Sequence, residues 1–235
     1  MDKGAGFTPR LDILSLPQRR LWDELAGVPP QFVLYGGTAI ALHLGHRQSL
    51  DCDFFGNRHF DPARLVFEVP FMANAQITRR EPNTLTGIVD RDGLVQVSFF
   101  GVPELPRLAT PHQAPDNKLR VASLLDLAGM KASVVQVRAE AKDYIDIDAL
   151  MTQGGIDLPT ALAAARAIYG RQFNPQITLK ALSFFDDGDL RQLPAACKER
   201  LARTAREVDL EHLPDIGVGA RCAMRPEGSA MKSEV

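Results

Sequence analysis

The sequence predicts a mixed α/β (α+β) protein, in which a small mixed sheet flanked by helices precedes a helical C-terminal part. Short apolar runs of strand length occupy the first half, and an Asp-Arg-Asp-Gly turn separates two of them, 84–89 and 94–100. In the second half, apolar residues recur at three- and four-residue steps instead. We therefore expect an N-terminal core at 1–115, a helical domain at 116–215 and a loose tail at 216–235.

The composition is that of a globular protein without an extreme charge. The chain has 235 residues, of which 45% are hydrophobic and 24% charged, and its formal net charge is -2. Any contact with nucleic acid must therefore come from a local basic patch. No apolar run approaches the roughly 20 residues that span a bilayer. The three cysteines (Cys52, Cys197 and Cys222) form no metal-ligand motif, so we expect a cytoplasmic protein without a membrane partner.

Capping residues and helix-ending residues predict the helices of the N-terminal part. A first helix is predicted from Pro17 to about Ala26, because Ser15 can cap it and Gly27 can end it. A short helix follows a glycine turn after the first strand, and a third helix starts at Asp61, which can cap it. Strands are predicted at 32–35, 50–55, 76–80, 84–89 and 94–100.

Helices are predicted for the remainder of the chain. Ser123-x-x-Asp126 resembles a capping box, with Asp in place of Glu. One apolar stripe then continues through Leu127, Met130, Val134, Val137, Ala141 and Ile145. Further helices are predicted at about 159–169, 175–183 and 194–206.

A short segment combines a glycine turn with two carboxylates. Asp51 and Asp53 are two residues apart on a strand, so both point to the same face. Two neighbouring carboxylates repel each other, and such an arrangement is tolerated mainly when a cation lies between them. Mg²⁺ prefers oxygen ligands of this kind. Gly36 and Gly37 allow close approach of a ligand, and Thr38 lies where a helix N-terminus would meet an anion. The segment thus predicts a metal and phosphate site.

Basic residues form a second constellation on the helical part. At 100° per residue, Lys131, Arg138 and Lys142 lie within a narrow arc, and Asp146 lies just beyond it. Arg138 and Lys142 are one turn apart and can both reach a triphosphate. Lys131 and Asp146 would be about 22 Å apart on an unbroken helix, so they can meet only if the helix breaks near 139–142.

These motifs together resemble one family of enzymes. Gly36-Gly37-Thr38-Ala39-Ile40-Ala41-Leu42, Gly45-His46-Arg47 and Ser49-x-Asp51-x-Asp53-Phe54-Phe55 resemble the nucleotidyltransferases of the AbiEii/AbiGii toxin family. Arg138-x-x-x-Lys142-Asp143-x-x-Asp146 resembles the later motif of that family, and Lys131 matches its upstream lysine.

The resemblance implies a polymerase-β-like nucleotidyltransferase fold and transfer of a nucleotide from an NTP with Mg²⁺ or Mn²⁺. Asp51 and Asp53 would hold the metal and, with Lys131, form the catalytic set. The 3′ end of tRNA is the implied acceptor, growth arrest or phage defence the implied effect, and a cognate antitoxin protein an implied partner. The residues expected to bind the nucleotide are Gly36, Gly37, Thr38, Arg47, Ser49, Lys131, Arg138, Lys142, Asp143 and Asp146.

The sequence departs from the polymerase-like pattern at one position. A third carboxylate is expected on the strand at 94–100, where the inward residue is Gln96 or Ser98. Neither is acidic, and the alternative acids are loop residues, Asp90, Asp92 and Glu104.

Alternatives therefore stay open at this point. The chain could be an NTP-binding protein without catalysis that acts through a partner, or a transferase acting on a small molecule such as an aminoglycoside. Arg47 could pair with Asp51 or Asp53, or it could contact phosphate. Lys142 and Asp146 could form an ordinary ion pair on the helix surface. We interpret the histidines as structural or surface residues, since their spacing fits no zinc motif: His43, His46 and His59.

Overall fold

The computed structural model describes residues 7–217. The strands are β1 (Phe32–Tyr35), β2 (Cys52–Gly56), β3 (Gln76–Glu81), β4 (Thr84–Asp90), β5 (Leu94–Gly101), β6 (His112–Gln113) and β7 (Arg120–Val121). The helices are α1 (Leu16–Leu21), α2 (Gly36–Leu44), α3 (Pro62–Glu68), α4 (Leu124–Val134), α5 (Ala141–Thr152), α6 (Leu158–Tyr169), α7 (Pro175–Ala181) and α8 (Ala195–Glu207). Within this part of the chain, no helix combines the length and apolar character that a bilayer crossing requires.

The strands form one mixed sheet in the order β3-β4-β5-β2-β1-β7-β6. β1 and β2 run antiparallel in its middle, and Tyr35 pairs with Asp53. On its other side β2 runs parallel to β5, with Asp53 opposite Ser98. β1 also pairs in parallel with β7, through Leu34 and Val121. This register places the start of β2 beside the end of β1 and the middle of β5.

Local capping explains most helix starts. Ser15 accepts a hydrogen bond from the backbone N–H of Gln18, whose side chain in turn accepts from the backbone of Ser15, a complete capping box. Asp61 and Ser123 cap α3 and α4, as predicted, each by accepting one backbone N–H with its side chain. The reciprocal half of the capping box predicted at Ser123 does not form, because the Asp126 carboxylate accepts from the backbone of Leu108 and Ala109 instead. The predicted first helix is α1 followed by a 3₁₀ turn at Trp22–Gly27. The five predicted strands are found as β1 to β5, within one or two residues at each end, whereas the short strands β6 and β7 were not predicted.

The apolar stripe predicted from 127 to 145 is not continuous, because the segment forms two helices and not one. α4 ends at Val134 and α5 begins at Ala141, and Val137 is 84% exposed in the link between them. The β-branched residues at this end of α4 are weak helix formers. α5 begins anew because the Ala141 backbone N–H donates to the carboxylate of Asp189 at 2.6 Å.

A single large apolar cluster contains buried residues from Leu14 to Ala205. It includes β1 and β2 as well as α4, α5 and α6, so it extends across residue 115. β7 also lies beyond that residue and pairs with the sheet. The domain division at 115 stays a prediction. Most of the predicted tail, 218–235, lies outside the described residues, as does Cys222.

Candidate active site

The glycine turn packs directly against the acidic and basic side chains of the predicted site. Gly36 follows β1 with a φ of 71°, a conformation that favours glycine, and a Cβ there would lie 3.0 Å from Oδ2 of Asp53. A Cβ at Gly37 would lie 2.6 Å from Nη2 of Arg47 and 2.8 Å from Oγ of Ser49. Both glycines are therefore needed for these groups to come together.

Thr38 fastens the loop that carries the first acid. Its side chain is buried in α2, and its hydroxyl donates to the backbone oxygen of Asp51. The Ser49 carbonyl lies 3.4 Å from the same hydroxyl. The Thr38 side chain thus positions residues 49–51, and its predicted contact with the nucleotide stays a prediction.

Asp51 and Asp53 face a common cleft at the start of β2. Burial and then the negative charge of Asp51 raise the pKa of Asp53. The positive charges of Lys131, Arg138 and Lys142 act in the opposite direction. Since the charges of Asp51 and of the three basic residues all act on Asp53, the two predicted constellations form one site.

Lys131 lies between two buried carboxylates. Its Nζ is 2.6 Å from Oδ1 of Asp143 and 2.7 Å from Oδ2 of Asp146, and neither carboxylate is exposed to solvent. The link at 135–140 makes this possible, because it folds α5 back beside α4. The sequence allowed this contact only if the helix broke near 139–142, and the structure has the break at 135–140.

The same two acids hold the arginines. Arg138 donates through Nε and Nη2 to Asp143, at 2.7 and 3.0 Å. Arg47 donates through Nε and Nη2 to Asp146, at 2.7 and 2.9 Å, and therefore pairs with neither Asp51 nor Asp53. Burial alone would raise the pKa of Asp146, but the bonds and charges of its partners, including His46 at 2.8 Å, hold it well below 3.8.

Lys142 is the most accessible cation of the group. Its Nζ pairs with Glu140 at 2.8 Å, and half of its side chain is exposed. The predicted surface pair of Lys142 with Asp146 is thus replaced by a pair with Glu140. Sequence reasoning did not identify Glu140, nor that His46 contacts Asp146, since the partners in the latter pair are 100 residues apart.

These groups line a cleft of about 490 Å³. Asp143, Asp146 and Thr38 are not among its lining residues; the two acids lie behind the cations that are. The lining contains four basic and two acidic side chains. It consists of Gly36, Gly37, Arg47, Gln48, Ser49, Leu50, Asp51, Asp53, Gln96, Lys131, Arg138 and Lys142.

In the part of the chain that the structure describes, no third acid lines the cleft. The parallel register with β5 pairs Asp53 with Ser98 and Cys52 with Val97, and Gln96 comes just before these pairs. Ser98 is buried, whereas the Gln96 side chain lines the cleft. In residues 7–217, no cluster of three or more His, Cys, Asp or Glu side chains is suited to a metal.

The three loop acids that could have replaced the missing ligand lie elsewhere. Asp90 accepts from the backbone N–H of Gly93, and Asp92 pairs with Arg20. Glu104 follows β5 at its other end. None of them is among the residues that line the cleft.

The acid pair nevertheless fits a divalent cation. Each basic residue of the cleft forms its ion pair with another acid: Lys131 with Asp143 and Asp146, Arg138 with Asp143, Arg47 with Asp146 and Lys142 with Glu140. Asp51 and Asp53 are thus left with carboxylate oxygens directed at the cleft. Hard oxygen ligands of this kind suit Mg²⁺ or Mn²⁺, with other positions left for water and phosphate.

The lowered pKa of Asp146 predicts a specific pH dependence of stability. Its stabilising effect is fully present above 3.8, its ordinary pKa in the unfolded chain, and is lost as the pH falls below that value toward the lowered pKa of the folded state. Asp146→Asn should lower the free energy of unfolding by about 3–5 kcal/mol at pH 7, because it removes the carboxylate that pairs with Arg47 and one of the two that pair with Lys131. This difference should shrink below pH 4 in urea titrations.

Asp209→Asn is the matched control, because Asp209 pairs with His212 on an exposed surface. It should leave the free energy of unfolding nearly unchanged. A difference between Asp146→Asn and the unmodified protein that stays constant down to pH 3 would contradict the assigned role.

Comparison with known proteins agrees with this geometry. The sequence model described as "Nucleotidyl transferase AbiEii toxin, Type IV TA system" matches residues 20–217. An uncharacterised protein of Aquifex aeolicus (strain VF5) is 30% identical over 178 residues, which cover 74% of this chain and 84% of that protein.

Two solved structures share the fold. A candidate nucleotidyltransferase from H. pylori has a TM-score of 0.52 and 16% identity, covering 80% of this chain and 91% of that one. MenT4, a nucleotidyltransferase toxin from Mycobacterium tuberculosis H37Rv, has a TM-score of 0.53 and 18% identity, covering 81% and 83%. These findings confirm the predicted fold class and family resemblance. The chain belongs to the AbiEii nucleotidyltransferase toxin family, and it is a nucleotidyltransferase.

Proposed function

We propose that this enzyme transfers a nucleoside monophosphate from an NTP to the 3′ end of tRNA, with Mg²⁺ or Mn²⁺ as cofactor. The acceptor hydroxyl oxygen bonds to the α-phosphorus, the bond from that phosphorus to the bridging oxygen breaks, and pyrophosphate leaves. The hydroxyl proton passes to water. The observation that carries the proposal is that Asp51 and Asp53, free of ion pairs within residues 7–217, share one cleft with four basic residues.

Asp51 and Asp53 are the proposed metal ligands. A divalent cation bound there would neutralise charge on the triphosphate and lower the pKa of the attacking hydroxyl. The proposal needs no third protein carboxylate if phosphate and water oxygens complete the coordination.

The glycine turn and the basic residues are proposed to hold the triphosphate. Gly36 and Gly37 bring the N-terminus of α2 to the cleft, where backbone N–H groups favour an anion. Arg138 and Lys142, each about half exposed, can turn toward the β- and γ-phosphates. Lys131, which is more buried and is held by Asp143 and Asp146, would contribute its positive charge from the floor of the cleft. The contribution of these residues is positioning and electrostatic stabilisation.

Charge in the cleft favours an anionic acceptor. Arg138 and Lys142 present half-exposed positive charge at its lining, which suits a nucleic-acid end better than a polycationic aminoglycoside. A cognate antitoxin protein is a further proposed partner, because the family is described as part of a toxin–antitoxin system. We propose the cytoplasm as the site of action.

The direct test is incubation of the enzyme with each of the four α-labelled NTPs and total tRNA, with and without Mg²⁺. The proposal predicts label on tRNA only with Mg²⁺, and a loss of at least about a thousandfold in Asp51→Asn, since a metal ligand is removed. Labelling of tRNA by Asp51→Asn at the unmodified rate would exclude this site. Label transferred only to a small molecule would overturn the assignment of tRNA as the acceptor, but nucleotide transfer at this site would still hold.

The two lysines should differ in a way that their burial predicts. Lys142→Ala removes a half-exposed cation and should weaken NTP binding by roughly 10–100-fold, the value of one or two charged hydrogen bonds, without changing stability. Lys131→Met should weaken binding and also destabilise the fold, because it leaves Asp143 and Asp146 short of a partner. Calorimetric titration with a non-hydrolysable NTP analogue and urea unfolding measure the two effects.

Lys180→Ala is the control, since Lys180 is an exposed lysine of α7 outside the cleft. It should change neither quantity. Unchanged NTP affinity in Lys142→Ala would argue against a phosphate contact at this residue.

A further inference from the structure

Gln18 on α1 contacts the loop that ends in Asp51 from behind. Its side chain is buried at 3% exposure, and Nε2 donates to the backbone oxygen of Ser49 at 2.7 Å. Its Oε1 accepts from the backbone N–H and the hydroxyl of Ser15, each at 3.1 Å. The Gln18 side chain therefore ties the backbone two residues before Asp51 to α1.

The loop at 45–51 lies outside regular secondary structure, so its position depends on such side-chain bonds. Thr38 holds the backbone oxygen of Asp51 from α2. Gln18 holds the backbone oxygen of Ser49 from α1, at a shorter distance than the 3.4 Å contact that Thr38 makes with the same oxygen. The backbone before Asp51 is thus fixed from two helices.

α1 is itself fixed to the strand that forms the opposite side of the acid pair. Arg20 pairs with Asp92 in the β4–β5 turn. The ring of Pro17 occupies the space that a side chain at Gly93 would need. Since β5 pairs with β2 and carries Gln96, which lines the same cleft as Asp51, α1 connects the loop to β5.

We propose that Gln18 is a positioning residue that sets the placement of Asp51 for metal binding, and that α1 is the brace through which it acts. Gln18 precedes the residues matched by the family model, 20–217. Reacting groups displaced by about 1 Å can cost a hundredfold in rate, so a bond to the backbone two residues from a metal ligand is enough to matter. The inference rests on the proposed role of Asp51 and Asp53 as metal ligands.

The test compares Gln18→Met with the unmodified protein, because methionine keeps the side-chain length and removes the donor. The free Mn²⁺ signal in electron paramagnetic resonance gives the dissociation constant for Mn²⁺ without turnover. We expect the Mn²⁺ affinity to fall at least tenfold. We also expect kcat to decrease by a larger factor than the factor by which KM for the NTP increases. Ser15→Ala, which leaves the core intact and removes one bond to Oε1, should weaken Mn²⁺ binding by a smaller factor in the same direction.

Asn117→Leu is the matched control. The buried Asn117 amide also donates to a backbone oxygen, that of Trp22, at 2.7 Å, but it lies outside the cleft. Asn117→Leu should lower stability toward urea about as much as Gln18→Met does. It should leave the Mn²⁺ affinity within twofold of that of the unmodified protein. Mn²⁺ affinity within twofold of the unmodified protein in both Gln18→Met and Ser15→Ala would overturn the inference, as would an equal loss in Asn117→Leu.

Asp51→Asn separates this outcome from failure of the proposed function. If the unmodified protein binds Mn²⁺ and Asp51→Asn does not, the metal assignment stands and the Gln18 variants decide the inference alone. If Asp51→Asn binds Mn²⁺ as well as the unmodified protein does, the metal assignment fails and the inference fails with it.

Discussion

The site depends on the ammonium group of Lys131, which lies between the buried carboxylates of Asp143 and Asp146. This contact joins α4 to α5 across the link at 135–140. Through Asp146 it also fixes Arg47 and the loop that leads to Asp51. A buried ion network of this kind adds little net stability compared with apolar packing, but it is costly to break. The main effect of this network is therefore to fix the positions of α4, α5 and the loop that leads to Asp51 relative to one another.

That network also decides which charges remain for a ligand. Asp143, Asp146 and Glu140 form the ion pairs with the basic residues of the cleft, so none of these cations forms an ion pair with Asp51 or Asp53. Burial and mutual repulsion then raise the pKa of Asp53. A cation bound between Asp51 and Asp53 would relieve this repulsion, and the half-exposed Arg138 and Lys142 remain able to reach a phosphate. The arrangement suits a metal–triphosphate complex better than either ion alone.

The sequence predicts what is local and fails where partners are distant. Strand β1, the glycine turn and the caps at Ser15, Asp61 and Ser123 each depend on neighbouring residues, and each is found where predicted. The periodicity from 127 to 145 indicated one helix, because nothing within it reveals that Asp189 starts α5 separately. For the same reason Arg47 could not be assigned to Asp146, nor Gln18 to Ser49.

The central claim is that Asp51 and Asp53, the glycine turn and the basic residues of the cleft bind one metal–triphosphate complex together. A crystal structure with Mn²⁺ and a non-hydrolysable NTP analogue tests it most directly, since anomalous scattering locates the metal. The account predicts a Mn²⁺ peak about 2–2.6 Å from carboxylate oxygens of both Asp51 and Asp53, with phosphates at Gly37 and Arg138. A triphosphate bound outside this cleft, or a metal that touches neither acid, would contradict it.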